Sequence, residues 1–146
     1  MSQENVQLIQ SMYEAFGRGD VAAVLAGMDP NIEWREADNF PYADRNPYQG
    51  PQAIVEGIFV RFATEWDGFK VTPQEWFDAG DHVIVTGTYT GTYKGTRKTV
   101  QAPFAHFWKM RASKVVKYQQ YTDTKQFAAT VGWGLRQREM DRFVIY

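Results

Sequence analysis

The sequence predicts an α+β fold, a cone in which a curved, mainly antiparallel β-sheet wraps around three helices from the first half of the chain. Three observations support this class. Apolar residues recur at helical spacing through most of residues 2–62. From Phe69 to Thr122 they recur at every second position, as they do in half-buried strands. Short turns separate these strands, and a block of hairpins that follows a block of helices is typical of α+β proteins.

The composition is that of one globular domain with many aromatic residues. The 146 residues are 44% hydrophobic and 23% charged, which suits a chain that buries a core. Phe, Trp and Tyr make up 16% of the chain, so we expect a large apolar cavity or a large subunit interface. The net charge of −1 argues against nucleic acid as the main partner.

The residue types argue against several classes of site. Without cysteine there is no disulfide, no thiol nucleophile and no thiolate metal site. His82 and His106 are the only imidazoles and are not at helical ligand spacing, so neither a metal nor another cofactor is expected. The N-terminus lacks the features of a signal peptide, and no apolar run reaches membrane-spanning length. We therefore expect a soluble, cytoplasmic protein with no membrane partner.

Three helices are predicted before the main sheet. The first covers residues 2–16 and ends at a glycine turn, and the second covers residues 21–28 behind an Asp20 cap. Together they form an αα-hairpin. The third begins at Pro51, a favourable first helical residue, and carries apolar residues at helical spacing as far as Phe62.

A short strand over residues 32–37 separates the second and third helices. Ile32, Trp34 and Glu36 share one face, so the alternation that sends the apolar pair inward also sends Glu36 inward. Glu36 could instead lie at the rim where the strand ends, and we favour the rim because an unpaired buried carboxylate is costly. The loop 38–49 that follows is rich in aromatic residues and could fold over a pocket as a lid.

The second half of the chain begins with two strands, over residues 69–78 and 82–93. Pro73 cannot donate a ladder hydrogen bond, so the first of them should have an edge or a bulge there. A short helix over residues 124–131 follows the last strand. The charged segment from residue 133 to residue 146 ends in FVIY and could extend a sheet, contact a partner subunit or dock as a terminus.

The most informative stretch is a hairpin over residues 99–124 that turns at residues 111–114. The even positions of its first strand, residues 100–110, share one face and are all apolar except His106. An ionisable ring in the middle of an apolar stripe has two interpretations. It is either a proton-transfer group or a core histidine bonded to a neighbouring tyrosine or carbonyl group.

A carboxylate at the far end of the second strand is the expected partner. Gln119, Tyr121 and Asp123 share a face at that end, and a histidine and a carboxylate near an apolar concavity are what proton transfer requires. Burial raises a carboxyl pKa and a nearby imidazolium lowers it, so this pair could hold a base near neutrality. Asp123 also starts a capping-box pattern with Gln126, so it could equally be only a helix cap.

Six short motifs, in this order and spacing, resemble one known family. The chain is similar to the SnoaL-like branch of the ketosteroid-isomerase-like superfamily, which has the nuclear transport factor 2-like fold. The resemblance implies a homodimer of single domains with a deep apolar cavity, here residues 1–146 with a core of about 5–130 and a C-terminal extension over 131–146. The motifs are YEAFGRGD, IEW, YQGPQAI, DAGDHVIVTG, APFAHFW and YQQYTDT.

The resemblance also allows individual residues to be matched. Steroid isomerases of this superfamily carry an acidic hydrogen-bond donor where this chain has Ala105, an oxyanion-hole tyrosine where it has Met12 and a general-base aspartate where it has Trp34. A typical ketosteroid isomerase is therefore not expected. No inward arginine completes the Asp-Arg-Asp arrangement of the related epoxide hydrolases. The polyketide cyclases look more similar, because their inward Asp and neighbouring His match Asp123 and His106.

We therefore expect a small-molecule-binding protein that acts on an apolar or polycyclic substrate as a cofactor-independent isomerase, cyclase or hydratase. His106 and Asp123 are the expected catalytic pair. The alternatives are a non-catalytic carrier or sensor of an apolar ligand, or a dimeric protein-interaction module. The expected partners are an apolar small molecule and a second copy of the chain. The residues expected to bind the substrate are Tyr13, Trp34, Glu36, Phe59, Phe62, Phe104, Trp108 and Tyr121.

Overall fold

One six-stranded sheet forms the frame of the protein in its computed structural model, which describes residues 2–133. The strands are β1 (Met28–Arg35), β2 (Tyr48–Gln49), β3 (Trp66–Ala79), β4 (His82–Tyr93), β5 (Thr99–Arg111) and β6 (Lys114–Thr122). Their order across the sheet is β2-β1-β6-β5-β4-β3. β1 runs parallel to β6, and all other neighbouring pairs are antiparallel. The α+β prediction is confirmed.

The helices lie mostly in the first half of the chain, as predicted. They are α1 (Ser2–Gly17), α2 (Val21–Ala26), α3 (Pro51–Ile54), α4 (Val60–Glu65) and α5 (Thr124–Val131). A π-helical turn, Val55–Phe59, joins α3 to α4, so the three segments run as one helix. Buried residues of the helices and of the sheet form one hydrophobic core. No helix among residues 2–133 is both long and apolar enough to cross a membrane.

The first two helices form the predicted αα-hairpin. Asp20 accepts a hydrogen bond from the amide of Ala23 at 3.1 Å and so caps α2. Gly19 has a φ of 75°, which suits the glycine turn between the helices. Ile9 and Met12 of α1 are buried in the core. Helical periodicity and capping chemistry therefore give the correct structure here.

β1 begins earlier than the sequence predicts. α2 ends at Ala26, and the carbonyl group of Gly27 already accepts a hydrogen bond from the amide of Val115 at 2.8 Å. Pro30 lies inside β1, where the register with β6 shifts between Met28 and Glu33. A proline is tolerated there because an irregular stretch does not need its missing amide donor.

The loop 38–49 does not act as the predicted lid. Its aromatic side chains Phe40, Tyr42 and Tyr48 are buried in the core, and none of them lines the cavity described below. The Tyr48 ring packs against Gly57 of the π-helical turn, where a Cβ atom would lie only 2.2 Å from the ring. The loop is therefore a packed part of the fold.

The prediction for the hairpin of β5 and β6 is correct for β5 and wrong for β6. All even positions of β5 from residue 100 to residue 110 are buried. On β6 the buried residues are Val115, Tyr118 and Gln120, because a register shift between Lys109 and Met110 changes the phase of the alternation. Tyr121 therefore points outward and is 55% exposed, so the prediction that it faces the cavity is wrong.

α5 follows β6 as predicted and ends at Gly132, which adopts the left-handed conformation with a φ of 93°. The predictions for the C-terminal segment concern mainly residues 134–146, which lie outside the described residues.

Candidate functional site

A cavity of about 60 Å³ lies between the inner face of the sheet and the helices. The apolar part of its wall comes from Met12, Phe16, Val24, Trp34, Ile58, Phe59, Phe62, Val71 and Trp108. Its polar side chains are Tyr13, Glu36, Tyr89, His106, Tyr118 and Gln120. The cavity is therefore an apolar chamber in which a few polar groups converge, which is the usual make-up of a small-molecule site.

Most of the residues predicted to bind a ligand lie around this chamber. They are Tyr13, Trp34, Glu36, Phe59, Phe62, His106 and Trp108. Phe104 is buried behind the wall, where its ring stacks on the imidazole of His106 at a centroid distance of 4.0 Å. Tyr121 and Asp123 are not part of the chamber.

Asp123 is the N-cap of α5. Its carboxylate accepts hydrogen bonds from the backbone amide of Gln126 at 3.2 Å and from the Gln126 side chain at 3.1 Å. These two hydrogen bonds lower the pKa of Asp123. The prediction that Asp123 enters the cavity beside His106 is therefore wrong, because the capping interaction holds it where β6 ends.

His106 lies between two tyrosine hydroxyl groups. Its Nδ1 atom is 2.5 Å from the hydroxyl oxygen of Tyr13, and its Nε2 atom is hydrogen-bonded to the hydroxyl group of Tyr89. Trp108 donates its indole N–H to Tyr13 at 3.0 Å, and the Gln120 amide donates to Tyr89 at 2.9 Å. Burial lowers the pKa of His106 well below its ordinary value, so the ring is neutral at pH 7.

A neutral ring leaves this network with one hydrogen too many. Neutral imidazole has one N–H donor and one acceptor nitrogen, so only one of Tyr13 and Tyr89 can donate to it. The other tyrosine accepts from the ring and also accepts from Trp108 or Gln120, so its own hydroxyl hydrogen must point elsewhere. If the Tyr89 hydroxyl group donates to the neighbouring Tyr118 hydroxyl group, the hydrogen of Tyr118 is the one that lacks an acceptor. One phenolic hydrogen is therefore available to an acceptor in the cavity.

Glu36 supplies a buried carboxyl group whose hydrogen bonds are incomplete. The residue is only 2% exposed, and its Oε2 atom has no hydrogen-bond partner among residues 2–133. The prediction that Glu36 lies at the rim is therefore wrong. Burial raises the pKa of Glu36 to about 8, against smaller lowering effects of the Trp34 indole N–H and the Arg61 charge. The indole is close enough to lower this pKa, but its N–H and the Oε2 atom both lack a partner in hydrogen-bond geometry.

The sequence did not single out three of the polar residues. Tyr118 and Gln120 are on the inner face of β6 only because of the register shift, which alternation does not reveal. Gln120 links the network to β1, since its side-chain oxygen accepts from the Ala37 amide at 3.1 Å. Alternation puts Tyr89 on the same face of β4 as Val83 and Val85, but it does not distinguish this residue from a core tyrosine. The sequence does not reveal that the Tyr89 hydroxyl group is hydrogen-bonded to His106.

The polar groups of the chamber are of the kinds that donate and accept protons. Within residues 2–133 no group of three His, Asp or Glu side chains is placed to hold a metal ion. The chamber instead presents a carboxyl group that titrates near neutrality and a tyrosine hydroxyl without an acceptor. A general acid or base beside a hydrogen-bond donor for an oxygen atom is what enolisation chemistry requires.

A sequence profile of the SnoaL-like domain matches residues 9–118. The chain belongs to the SnoaL-like family. Its similarity to an NTF2-like protein of Burkholderia thailandensis E264 is 39% identity over 86% of this chain and 95% of that one, with a TM-score of 0.83. No curated protein matches the chain significantly.

Two further solved structures resemble this SnoaL-like protein over nearly their whole length. An NTF2-like protein of Burkholderia xenovorans LB400 is 30% identical over 89% of this chain and 97% of that one, with a TM-score of 0.76. TerC, co-crystallised with polyporic acid, is 27% identical over 88% and 98%, with a TM-score of 0.78. The predicted superfamily is therefore confirmed.

Proposed function

We propose that this SnoaL-like protein is a cofactor-independent proton-transfer catalyst for an enolisable carbonyl compound. The observation that carries the proposal is that, among the groups of one apolar chamber that lack a partner, two have complementary chemistry. They are the partnerless carboxyl oxygen of Glu36 and the surplus phenolic hydrogen of the network around His106. One substrate that presents a carbonyl oxygen to the tyrosine and an adjacent C–H to Glu36 would satisfy both.

The chemistry follows from these two groups. The Glu36 carboxylate removes a proton from the carbon next to the carbonyl group, and the electron pair moves onto the oxygen as an enolate. The spare tyrosine hydroxyl donates a hydrogen bond to that oxygen and stabilises its charge. Return of the proton from Glu36 to another carbon completes an isomerisation. Attack of the enolate carbon on a second carbonyl carbon of the same molecule would instead close a ring, and Glu36 would return its proton to the oxygen of the attacked carbonyl group.

The pKa of Glu36 fits this role. A carboxyl group with a pKa of about 8 is a much stronger base than an ordinary glutamate and is still partly ionised at neutral pH. The role of the predicted catalytic pair changes accordingly. Both ring nitrogens of His106 are bonded to tyrosines, so His106 acts as a positioning residue that orients the hydroxyl donor. Asp123 caps α5, and Glu36 takes the carboxylate's place in the mechanism.

A ligand-carrying role is the second candidate, and the largely apolar lining of the chamber favours it, because binding an apolar ligand needs no catalytic group. About 60 Å³ holds only a few water-sized groups, so a larger molecule must displace part of the wall to enter. The co-crystallisation of TerC with polyporic acid supports small-molecule binding at this fold without requiring catalysis.

Hydrogen exchange on a small ketone tests the proposal. We expect the protein to accelerate exchange of the α-hydrogens of 2-indanone in D₂O, followed by NMR. Glu36→Gln should lower the catalysed rate by a factor on the order of 10²–10⁴, because the amide cannot accept the proton. Asp123→Asn is the matched control and should keep the full rate, because Asn caps helices as well as Asp does. Equal rates in the wild type and in Glu36→Gln would remove Glu36 from the mechanism and favour the carrier.

A further inference from the structure

A second apolar compartment lies directly outside the chamber. It is a surface groove of about 400 Å³ between the α1–α2 turn, α4 and the start of β3. Val21 and Ala63 are among its exposed lining residues. Among the described residues that line it, the only side-chain hydrogen-bonding atom is Nε1 of Trp66, which already donates to Tyr42 at 3.0 Å. The side chains of the groove therefore offer a ligand apolar contact and no charge.

The groove and the chamber share one wall. Phe16, Phe59 and Phe62 line both compartments, so a single layer of aromatic side chains separates them. The rings of Phe16 and Phe59 meet edge to face at a centroid distance of 5.4 Å. Phe59 is also the last residue of the π-helical turn, a departure from regular α-helix that is common at functional positions.

The volumes indicate that the two compartments act together. The chamber alone is far smaller than the roughly 300–1,000 Å³ of ordinary ligand sites, whereas the groove falls within that range. The chamber holds several polar side chains, whereas no described side chain of the groove has a free polar group. Rotation of a phenylalanine ring in the shared wall would connect the polar chamber to the apolar groove.

We propose that the groove is a second subsite that binds the apolar tail of the same ligand whose oxygen-bearing head enters the chamber. The ligand class is then an enolisable carbonyl compound, or its enol, with an uncharged aromatic or aliphatic substituent about the size of a phenyl ring or larger. The inference rests on the proposed function for the head group, whereas the tail subsite rests on the groove and its shared wall.

Two phenols test the tail subsite, since a phenol presents an enol-like oxygen on a planar ring. Phenol carries only the head, and 4-phenylphenol adds an apolar ring. Affinities are measured by amide NMR titration of the wild type, of Ala63→Arg, which places a charged chain in the groove, and of Thr64→Arg. The last variant is the matched control, because Thr64 is an exposed neighbour on α4 that does not line the groove. Thermal melts check that each variant is folded.

We expect the wild type to bind 4-phenylphenol at least about tenfold more tightly than phenol, because the second ring leaves water. Ala63→Arg should remove most of that ratio and Thr64→Arg should keep it. The amide signal of Gly68, in the groove, should shift with 4-phenylphenol and not with phenol. Equal affinities for the two phenols, no binding of 4-phenylphenol, or equal ratios in the two arginine variants would overturn the tail subsite.

This design distinguishes a failure of the proposed function from a failure of the tail subsite. Glu36→Gln should change the affinity for both phenols by a similar factor and leave their ratio unchanged. If Ala63→Arg changes the ratio of the two affinities while Glu36→Gln changes neither affinity, the groove is a tail subsite and the head-group assignment is wrong.

Discussion

The buried carboxyl group of Glu36 should make the stability of the protein fall as the pH rises. Its folded pKa of about 8 lies above the unfolded value of 4.5, so the folded state holds the proton more tightly. The associated stability is fully present below pH 4.5 and is lost as the pH rises through 8. Glu36→Gln cannot titrate, so the variant should lack this dependence.

The expected magnitude follows from these two pKa values. Between pH 7 and pH 9 the proton leaves the folded protein, while the carboxyl group of the unfolded chain is already ionised at both pH values. Linkage then lowers the free energy of unfolding by about 1.4 kcal/mol over this interval. The assay is urea denaturation at pH 7, 8 and 9, with the slope of the wild type compared with that of Glu36→Gln.

The interval from pH 7 to pH 9 lies outside the pH ranges in which the other buried titratable groups affect stability. The pKa of His106 is lowered by burial, so its contribution rises with pH only up to about 6.5 and is constant above that value. Tyr89 and Tyr118 have raised pKa values and affect stability only above about pH 10, where tyrosines of the unfolded chain ionise. Parallel stability curves for the wild type and Glu36→Gln between pH 7 and pH 9 would refute the reasoning, because Glu36 would then have an ordinary pKa.

Three further predictions follow from the same structure. Asp123→Ala should cost about 1 kcal/mol in urea denaturation and Asp123→Asn almost nothing, with ligand affinity unchanged in both, because the side chain only caps α5. His106→Phe should cost roughly 2–4 kcal/mol in the same assay, because the tyrosine hydroxyls lose their shared partner inside the core; an unchanged midpoint would argue against the network. We expect a homodimer, since Phe77 and Tyr121 are exposed on strands whose other face fills the core; light scattering that shows only the 16.8 kDa chain would contradict it.

The sequence predicts those parts of the fold that depend on local chemistry. The Asp20 and Asp123 caps, the helical faces and the alternation of β5 are each determined within a few residues, and all are found in the structure. His106 falls on the buried face for the same reason. The wall residues Trp34 and Trp108 follow from the same alternation.

The remaining features depend on interactions between distant parts of the chain. The register shift between β5 and β6 exchanges Tyr121 for Tyr118 and Gln120 on the inner face, and nothing within β6 indicates it. Glu36 was placed at the rim because an unpaired buried carboxylate is costly. In the structure Glu36 is buried in spite of that cost, and burial raises its pKa. Such a departure from local rules is expected at a functional site.

A crystal structure of the protein with 4-phenylphenol tests the central claim most directly. We predict that the phenolic oxygen lies in the chamber at about 3 Å from the hydroxyl group of Tyr13, Tyr89 or Tyr118. The Glu36 carboxyl group should face the carbon atoms next to that oxygen, and the second ring should occupy the groove. A ligand whose oxygen stays in solvent while the chamber holds no part of it, or a Glu36 carboxyl group turned away and bonded to other protein groups, would contradict the account.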